Sequence, residues 1–414
     1  MSVRFDEIIR VIGRGLDLVE AEVLGVSPNH GKRIAVLIAA MGRHLGMDET
    51  ALAEVTACGL LHDNALTEYK LLERHGSKQK PAWSLHCEYG ERNIGNLPFR
   101  TGVEGFILYH HERADGRGPF GKKEGEYPLG AQLIAVADML DSQWHLQKVE
   151  TDRLPELREK IAEGRGLRFT GEAAGAMLAV LDEPMLLSLR DDRIFAAAEE
   201  TAPPWTVESD SGALISAAEL IAHIIDYKSA FTRVHTSAIA NRAWIMAGYY
   251  GYDDALKHRL YLAAALHDIG KLAIPPEVLE KPDRLDEREF EIIKGHVSHT
   301  WELLSGAPGL GAVREWAASH HEKLDGSGYP AGLTAEDLDF NSRLIACIDV
   351  YQAISEKRPY HEERSHGDTM RILREMAGNN LIDGKIVADL DSVMAEYSGR
   401  ELPPPVYRGT PAKD

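Results

Sequence analysis

Apolar residues recur at three- and four-residue intervals in four stretches of the chain, at 33–45, 49–63, 235–251 and 254–270. This spacing puts the apolar side chains on one face of an α-helix, whereas few segments alternate with the period of two that a strand requires. The stretch 151–200 carries further helical patterns. The pattern therefore predicts an all-α fold, with a helical domain of about 200 residues in each half of the chain.

Histidines and aspartates recur with nearly the same spacing in both halves. Successive marks are 32, 24, 24 and 28 residues apart in the first half and 32, 29, 24 and 29 residues apart in the second. The first set is His30, His62, Asp63, His86, His110, His111 and Asp138, and the second is His235, His267, Asp268, His296, His320, His321 and Asp349. The strings around them also agree, as GLLHDNAL does with AALHDIGK. Such a repeat predicts two copies of one domain in tandem.

The boundary between the two copies is predicted in AEETAPPWTVESDSG, at 198–212. Its prolines, acids and small polar residues are typical of a linker. We predict a first domain at 1–200, a linker at 201–212 and a second domain at 213–400. The proline-rich tail at 401–414 is predicted to be poorly ordered.

Net charge and composition limit the kinds of molecule that the protein is expected to bind. A net charge of −19 repels polymeric nucleic acid, but a small anion can bind where metal ions supply local positive charge. We find no apolar run near the roughly 18 residues of a membrane helix and no signal-peptide pattern, so we expect no membrane association. Cys58, Cys87 and Cys347 form no disulfide framework. We predict buried thiols at Cys58 and Cys347 and a cytoplasmic location.

The repeated residues have the chemistry of a divalent-metal site. Imidazole and carboxylate groups suit transition metals, and a carboxylate can bridge two ions. His235, His296 and Asp349 are predicted on separate helices that point into a common core, as in other helical dinuclear sites. His320 and His321 are adjacent, and on a helix their side chains would diverge by about 100° and could serve different ions. A pair of ions can generate a nucleophile from water and stabilise phosphoryl oxygens.

Part of the C-terminal half resembles the HD-GYP family, a branch of the HD phosphohydrolase superfamily. The resemblance rests on the strings AALHDIGK, KGH and HHEKLDGSGYP and on the aspartate within ACIDVYQAI. The resemblance covers residues 220–365. It implies helical domains with metal sites in their cores, often of iron or manganese, and hydrolysis of cyclic dinucleotides, chiefly cyclic di-GMP. Mixed cyclic GMP-AMP and another phosphorylated small molecule stay open as substrates.

Carried over by position, the resemblance assigns both repeated sets as metal ligands. It implies that Asp268 bridges two ions in catalysis and that Lys271 lies near the scissile phosphate. The predicted substrate-binding residues are Lys271, Gly326, Gly328, Tyr329 and Arg358. The two glycines permit a tight turn close to the substrate, and the tyrosine ring can stack on a base.

Several positions depart from the family pattern. Some members hold a third metal with a glutamate four residues before the first histidine, where this chain has Phe231 and, in the first repeat, Val26. Neither can ligate, so we expect two divalent metals per site. Gln352 replaces a second aspartate that many members carry, and His361 stands where a basic residue is common.

The N-terminal repeat keeps its ligand positions but changes the residues around them. Leu66 replaces the lysine, and GRGPF places Phe120 near the position of Tyr329. The loop there stays basic, through Arg113, Arg117, Lys122 and Lys123. We expect the C-terminal half to be catalytic and the N-terminal half to be regulatory or of altered specificity. A metal or redox sensor and a di-iron oxygenase are the alternatives for the N-terminal half.

Overall fold

The computed structural model shows two compact units, residues 4–206 and residues 207–414 together with 1–3. The residues that the structure describes are 2–74, 82–201, 203–209, 212–228, 235–281, 283–356, 364–400, 402–403 and 405. The division between the units falls inside the segment 201–212. The tail at 401–414 was predicted to be poorly ordered, and most of it lies outside the described residues.

The first unit is built from ten described α-helices. They are α1 (Phe5–Leu24), α2 (His30–His44), α3 (Glu49–Leu60), α4 (Leu66–Arg74), α5 (Ala82–Ile94), α6 (Leu129–Trp144), α7 (Leu154–Gly164), α8 (Gly171–Val180), α9 (Glu183–Ser188) and α10 (Ile194–Thr201). Short 3₁₀ helices lie at Leu146–Lys148 and Thr151–Arg153. The apolar α2 packs against α3, α6 and α8 and forms the centre of this unit.

The second unit repeats the arrangement of the ligand-bearing helices. Its described helices are α11 (Gly212–Asp226), α12 (His235–Tyr249), α13 (Asp254–Leu266), α14 (Pro276–Leu279), α15 (Glu287–Ser305), α16 (Gly311–Ala317), α17 (Phe340–Ser355), α18 (His366–Gly378) and α19 (Gly384–Met394). Its 3₁₀ helices are Ile269–Ala273, Pro308–Leu310 and Ala395–Tyr397. The alanine-rich α13 is the central helix, because it packs against α11, α12 and α16.

Side chains at the helix starts satisfy the free backbone amides there. Asp48 accepts a hydrogen bond from the Ala51 amide at 2.8 Å, and Asp253 accepts one from Leu256 at 2.8 Å. The start of α15 has a full capping box between Asp286 and Glu289. These caps and the apolar faces confirm the all-α prediction.

Strands are a minor part of the described chain. Strand β1 (Ser2–Arg4) pairs with β2 (Thr206–Glu208) in a two-stranded sheet. The predicted linker thus contains a short strand. Among the described residues, no helix combines the length and the apolar character that crossing a bilayer requires.

The turn after α13 packs so closely against α15 that only glycine fits at position 270. A Cβ there would lie 1.9 Å from the carbonyl oxygen of His296 and 2.6 Å from the amide nitrogen of Thr300. The Thr300 hydroxyl accepts a hydrogen bond from the Gly270 amide at 3.1 Å and donates one to the His267 carbonyl at 3.0 Å. This contact holds two ligand-bearing segments together.

In the first unit, the turn that corresponds to Gly270 also lies beside a ligand-bearing helix, but there the glycine is on the helix and not in the turn. Ala65 takes the place of Gly270, and Gly90 on α5 takes the place of Thr300. A Cβ on Gly90 would lie 2.9 Å from the side chain of Ile107. The side chain of Asn64 donates hydrogen bonds to the carbonyls of Gly90, at 3.1 Å, and of Leu61, at 2.8 Å. The change from Ile-Gly to Asn-Ala is therefore compensated by packing.

We predict that Gly270→Ala destabilises the metal-free chain by about 1–3 kcal/mol, because the new methyl group meets backbone atoms that cannot move aside. Urea unfolding measures the change. The control is Gly248→Ala on α12, where a Cβ meets nothing within 4 Å. That substitution should stabilise the helix by about 0.5–1 kcal/mol. Equal effects of the two variants would contradict the packing described above.

Candidate metal centres

The second unit brings its seven predicted ligands together from five segments. His235 begins α12, His267 caps the end of α13 with Asp268 next to it, His296 lies within α15 and Asp349 within α17. His320 and His321 follow α16. All seven are buried except His321, which is half-buried. The structure thus places distant parts of the sequence around one polar cluster inside an apolar core.

Asp268 lies at the centre of this cluster. Its Oδ2 is 3.1 Å from His267 Nε2 and 3.9 Å from His235 Nε2. Its Oδ1 is 3.4 Å from His296 Nε2 and 4.0 Å from His320 Nε2. The two carboxylate oxygens therefore face two different groups of imidazoles, as a bridging ligand requires.

Backbone carbonyls fix which nitrogen of each ring faces the cluster. The Nδ1 of His267 lies 2.6 Å from the Ala264 carbonyl, and those of His296 and His320 lie 2.6 and 2.7 Å from the carbonyls three residues earlier. A carbonyl only accepts, so Nδ1 carries the proton and Nε2 presents a lone pair. His267 Nε2 is buried and makes no hydrogen bond to any described group. An orphaned lone pair of this kind fits a metal ion.

The protonation states also fit metal binding. Burial lowers the pKa of His296, His320 and His321 to about 3, so these rings are neutral. Burial by itself opposes ionisation of Asp268, but its interactions with His267 and Lys271 outweigh it and lower the pKa of Asp268 well below its usual range. Neutral imidazoles beside ionised carboxylates are the form in which these groups ligate.

The donor atoms fall into two groups in the second unit. Those of His296, His320 and His321 lie within 4.8 Å of one another, and so do those of His235, His267 and Asp268. His235 Nε2 also lies 3.5 Å from Asp349 Oδ1. The residues present fit transition-metal ions in the core of this unit.

His320 and His321 do not lie on a helix, contrary to the prediction. Helix α16 ends at Ala317, and His320 and His321 occupy the turn that follows it. Their ring centroids lie 4.2 Å apart with planes inclined by 45°. The turn removes the divergence of about 100° that a helix would impose, so both rings face the same cluster. His110 and His111 also occupy a turn, with centroids 4.0 Å apart.

The first unit assembles its own cluster around Asp63. Oδ1 of Asp63 lies 3.5 Å from His86 Nε2 and 3.9 Å from His110 Nε2, and its Oδ2 lies 3.5 Å from His62 Nε2. His62 Nε2 is buried without a hydrogen bond to a described group, as in the other unit. The donor atoms of His30, His62 and Asp138 lie within 4.8 Å of one another. All seven predicted N-terminal ligands are thus brought near one another.

A carboxylate orients the first histidine of each set, and sequence reasoning missed both. His30 Nδ1 lies 2.6 Å from Asp141 Oδ2, and the buried Arg33 binds the other oxygen of Asp141 at 2.7 Å. In the second unit Gln352 occupies the position of Asp141, and its Oε1 makes no described hydrogen bond. Glu356, one helical turn later, takes over and lies 2.8 Å from His235 Nδ1.

Two further donors join the N-terminal cluster and were also missed. Glu20 on α1 is fully buried, and its carboxylate, His62 and Asp63 offer donor atoms within 4.8 Å of one another. Burial raises the pKa of Glu20 to about 8. Cys87 lies with Sγ 3.5 Å from His86 Nε2. Glu20 lies outside the histidine motifs, so the repeat carried no signal for it.

A buried glutamate shapes the glycine-rich loop in each unit. Glu322 accepts hydrogen bonds from the amides of Ala331 and Leu333, at 2.7 and 2.9 Å. Glu112 does the same for Phe120 and Lys122, at 2.5 and 2.7 Å. A glutamate follows the histidine pair in both repeats, and that agreement could have revealed this role.

Three of the predicted substrate-binding residues, Gly326, Gly328 and Tyr329, lie in this loop. Gly326 has a φ of 79°, and a Cβ on Gly328 would lie 2.4 Å from the Lys323 amide nitrogen, so both positions require glycine. The ring of Tyr329 lies 4.8 Å from that of His321, with planes inclined by 30°. The tyrosine therefore stands directly beside the cluster.

The corresponding loop of the first unit is arranged differently. Phe120 packs edge-to-face on Tyr109, with ring centroids 5.6 Å apart. Arg113 forms an ion pair with Asp115 at 2.8 Å, and Arg117 approaches the same carboxylate at 3.9 Å. Two of the four predicted basic side chains thus face an acid of their own loop.

Lys271 is charged and its counterpart in the first unit, Leu66, is not, as predicted. Lys271 Nζ lies 2.5 Å from Asp268 Oδ2, within the cluster, whereas Leu66 is buried at the start of α4. The predicted phosphate-binding Arg358 lies outside the described residues, as do Phe231 and His361. Val26 is described and offers no donor atom. Cys58, Cys87 and Cys347 are buried and form no disulfide, which confirms the prediction of buried thiols at Cys58 and Cys347.

Comparison with known proteins identifies a relative over most of the chain and others over parts of it. The model of the HD domain family matches residues 19–154 and 219–386. The chain is 30% identical over 398 residues to 3'3'-cGAMP-specific phosphodiesterase 1 of Vibrio cholerae serotype O1, covering 93% of this chain and 90% of that protein. It is 33% identical over 197 residues to the cyclic di-GMP phosphodiesterase response regulator RpfG of Xanthomonas campestris pv. campestris, covering 45% and 51%.

A solved structure agrees with the fold. The crystal structure of a cyclic GMP-AMP specific phosphodiesterase of V. cholerae aligns with a TM-score of 0.65 at 21% identity. The alignment covers 95% of this chain and 98% of that one. At this level of identity the likeness concerns the fold alone.

We predict that Glu322→Gln loosens the glycine-rich loop, because hydrogen bonds to a charged acceptor are about twice as strong as neutral ones. Hydrogen exchange followed by mass spectrometry should show the amides of Ala331 and Leu333 exchanging about 10-fold faster, equivalent to roughly 1.4 kcal/mol. The exposed Glu336→Gln, in the same loop, is the control. Equal exchange in the two variants would show that Glu322 does not hold the loop.

Proposed function

Because the chain belongs to the HD-domain family, in its HD-GYP branch, we propose that it is a metal-dependent phosphodiesterase that hydrolyses cyclic dinucleotides. The catalytic centre is the cluster of the second unit. Each compact unit is one HD-type domain. Relatives named as phosphodiesterases favour hydrolysis over the oxygenase alternative.

The observation that carries this proposal is the position of Asp268 between two groups of imidazoles with Lys271 beside it. Asp268 faces His267 through one oxygen and His296 through the other. Lys271 reaches the same carboxylate from the side. A cationic side chain at this point can bind a phosphate oxygen and stabilise the charge that develops on the leaving oxygen.

The ligand sets support two divalent transition metals in each unit, with iron or manganese as the favoured ions. Bound together, two such ions lower the pKa of a water molecule and neutralise phosphoryl oxygens. The protein holds the neutral Nε2 atoms and the carboxylates in place, and its buried surroundings exclude bulk water.

The substrate side is formed by the loop after His321. Tyr329 presents its ring for stacking on a base, and Gly326 and Gly328 let the backbone approach closely. Arg358 is proposed to bind a second phosphate. The relative that matches nearly the full length is named for 3'3'-cGAMP. We therefore expect cyclic GMP-AMP to be cleaved in preference to cyclic di-GMP.

The N-terminal unit is proposed to bind metal while hydrolysing cyclic dinucleotides poorly or not at all. Leu66 offers no charge to a phosphate where Lys271 does, and Phe120 packs on the ring of Tyr109. Its role is then regulatory or directed to a different phosphorylated molecule. A cytoplasmic location is retained as a prediction, supported by three cysteines that form no disulfide.

A pair of double variants tests the division between the units. His267→Ala with Asp268→Ala should abolish cleavage of both cyclic GMP-AMP and cyclic di-GMP, because it removes two of the residues that would hold the metals. His62→Ala with Asp63→Ala should leave most activity. Chromatography of the products measures both. The reverse pattern would assign catalysis to the first unit, and equal losses would indicate two catalytic centres or coupled units.

Lys271→Ala should lower turnover by about 10²–10³-fold, the usual cost of one electrostatic contact to a transition state. Its metal content should stay near that of the native chain, because an ammonium group cannot ligate. Lys385→Ala on α19 is the control, since it makes the same chemical change at an exposed position. Native turnover in Lys271→Ala would remove this residue from the proposed mechanism.

A further inference from the structure

Glu20 presents a buried carboxylate that nothing in the described protein satisfies. The residue lies on α1 with 0% of its surface exposed. Neither carboxylate oxygen has a hydrogen-bond partner among the described residues. Burying a carboxylate without a partner is costly, and such groups are nearly always paired or bound to metal. The position therefore requires an explanation.

The basic side chains of α2 do not supply a partner for Glu20. Lys32, on the adjacent α2, binds Asp17 and also donates to Asn29 at 2.9 Å. Arg33 is committed to Asp141 at 2.7 Å. The groups that Glu20 does face are His62 and Asp63, with donor atoms within 4.8 Å of its own. One of these, His62 Nε2, is itself a buried atom without a hydrogen bond.

This carboxylate distinguishes the first unit from the second. Asp17 accepts a hydrogen bond from the amide that follows His30, at 2.8 Å, and Asp226 accepts one from the amide that follows His235, at 3.1 Å, so these two aspartates correspond. Glu20 lies three residues after Asp17, and the residue three positions after Asp226 in the sequence is Ser229, which carries no carboxylate. The two units nevertheless share all seven predicted ligands.

We propose that Glu20 is an additional metal ligand of the N-terminal centre. The inference rests on the proposed function, in which that centre binds divalent metal. An eighth donor that carries negative charge binds the ions more tightly. It also makes the centre less attractive to a phosphodiester anion. The N-terminal unit thereby becomes a site of metal retention, while the second unit keeps a more open and more positive site.

The test uses the full chain carrying His267→Ala and Asp268→Ala as the parent, so that the intact ligand set is the N-terminal one. Glu20→Gln is compared with Glu22→Gln, which makes the same change at an exposed position of the same helix. Adding His62→Ala and Asp63→Ala to the parent defines how much bound metal belongs to the N-terminal centre. The probe is Mn²⁺ for binding and Co²⁺ for its visible absorption.

Glu20→Gln should release N-terminal Mn²⁺ to a chelator at least about 10–100-fold faster than the parent, since even a supporting residue of a metal site is worth that much. The Co²⁺ spectrum should change as well. Glu22→Gln should behave like the parent in both measurements.

Thermal unfolding shows whether each variant is folded. Without metal, Glu20→Gln should be at least as stable as the parent, because it removes an unpaired buried carboxylate. Added Mn²⁺ should then raise its Tm less than it raises that of the parent, since ligand-induced stabilisation follows affinity.

Two outcomes would overturn the proposal. One is a Glu20→Gln chain whose metal release, Co²⁺ spectrum and metal-induced Tm shift equal those of Glu22→Gln. The other is a parent that loses no metal when His62 and Asp63 are replaced, because the N-terminal centre would then hold none. Phosphodiesterase activity is measured separately on the native chain. Its absence would refute the proposed function without entering this comparison.

Discussion

A buried carboxylate surrounded by imidazoles is the constraint on which each unit depends. Asp268 and Asp63 lose their hydration in the core, and that loss must be offset at short range. The rings of His267 and His296 do not offset it by donating, because their N–H groups already bind backbone carbonyls. Cations that accept lone pairs from both the nitrogens and the carboxylates remove the conflict. The helices and turns of each unit converge on that point.

Much of this arrangement could be predicted from the sequence because the signals are local or repeated. The period of the apolar residues predicts α2, α3, α12 and α13, since a helix face depends only on near neighbours. The ligand positions follow from a histidine pattern that occurs twice. The glutamate after each histidine pair, Glu322 in one unit, also occurs twice and could have been recognised.

The residues that sequence reasoning missed are those whose partners lie far along the chain. His235 and Glu356 are 121 residues apart, and His30 and Asp141 are 111 residues apart. Packing of helices sets these distances, and no local spacing encodes them. The wrong prediction of a helix at His320 and His321 has a related cause. Helix α16 ends at Ala317, three residues before His320, and the turn that follows sets the orientation of both rings.

The predicted metal ligands are the same in both units whereas the predicted substrate contacts differ, and the two groups of residues lie on different kinds of structure. Most ligands sit on or at the ends of buried helices, where a change would expose a cavity or an unpaired charge. Substrate contacts such as Tyr329 lie in a loop, which tolerates change more easily. Leu66 in place of Lys271 removes one positive charge from the N-terminal cluster, and Glu20 adds one negative charge when its carboxylate is ionised. At distances of a few ångströms in a buried site, such a shift outweighs most other contacts to an anion. Under the proposed function, one fold can therefore keep metal in both units and attract a phosphodiester to only one.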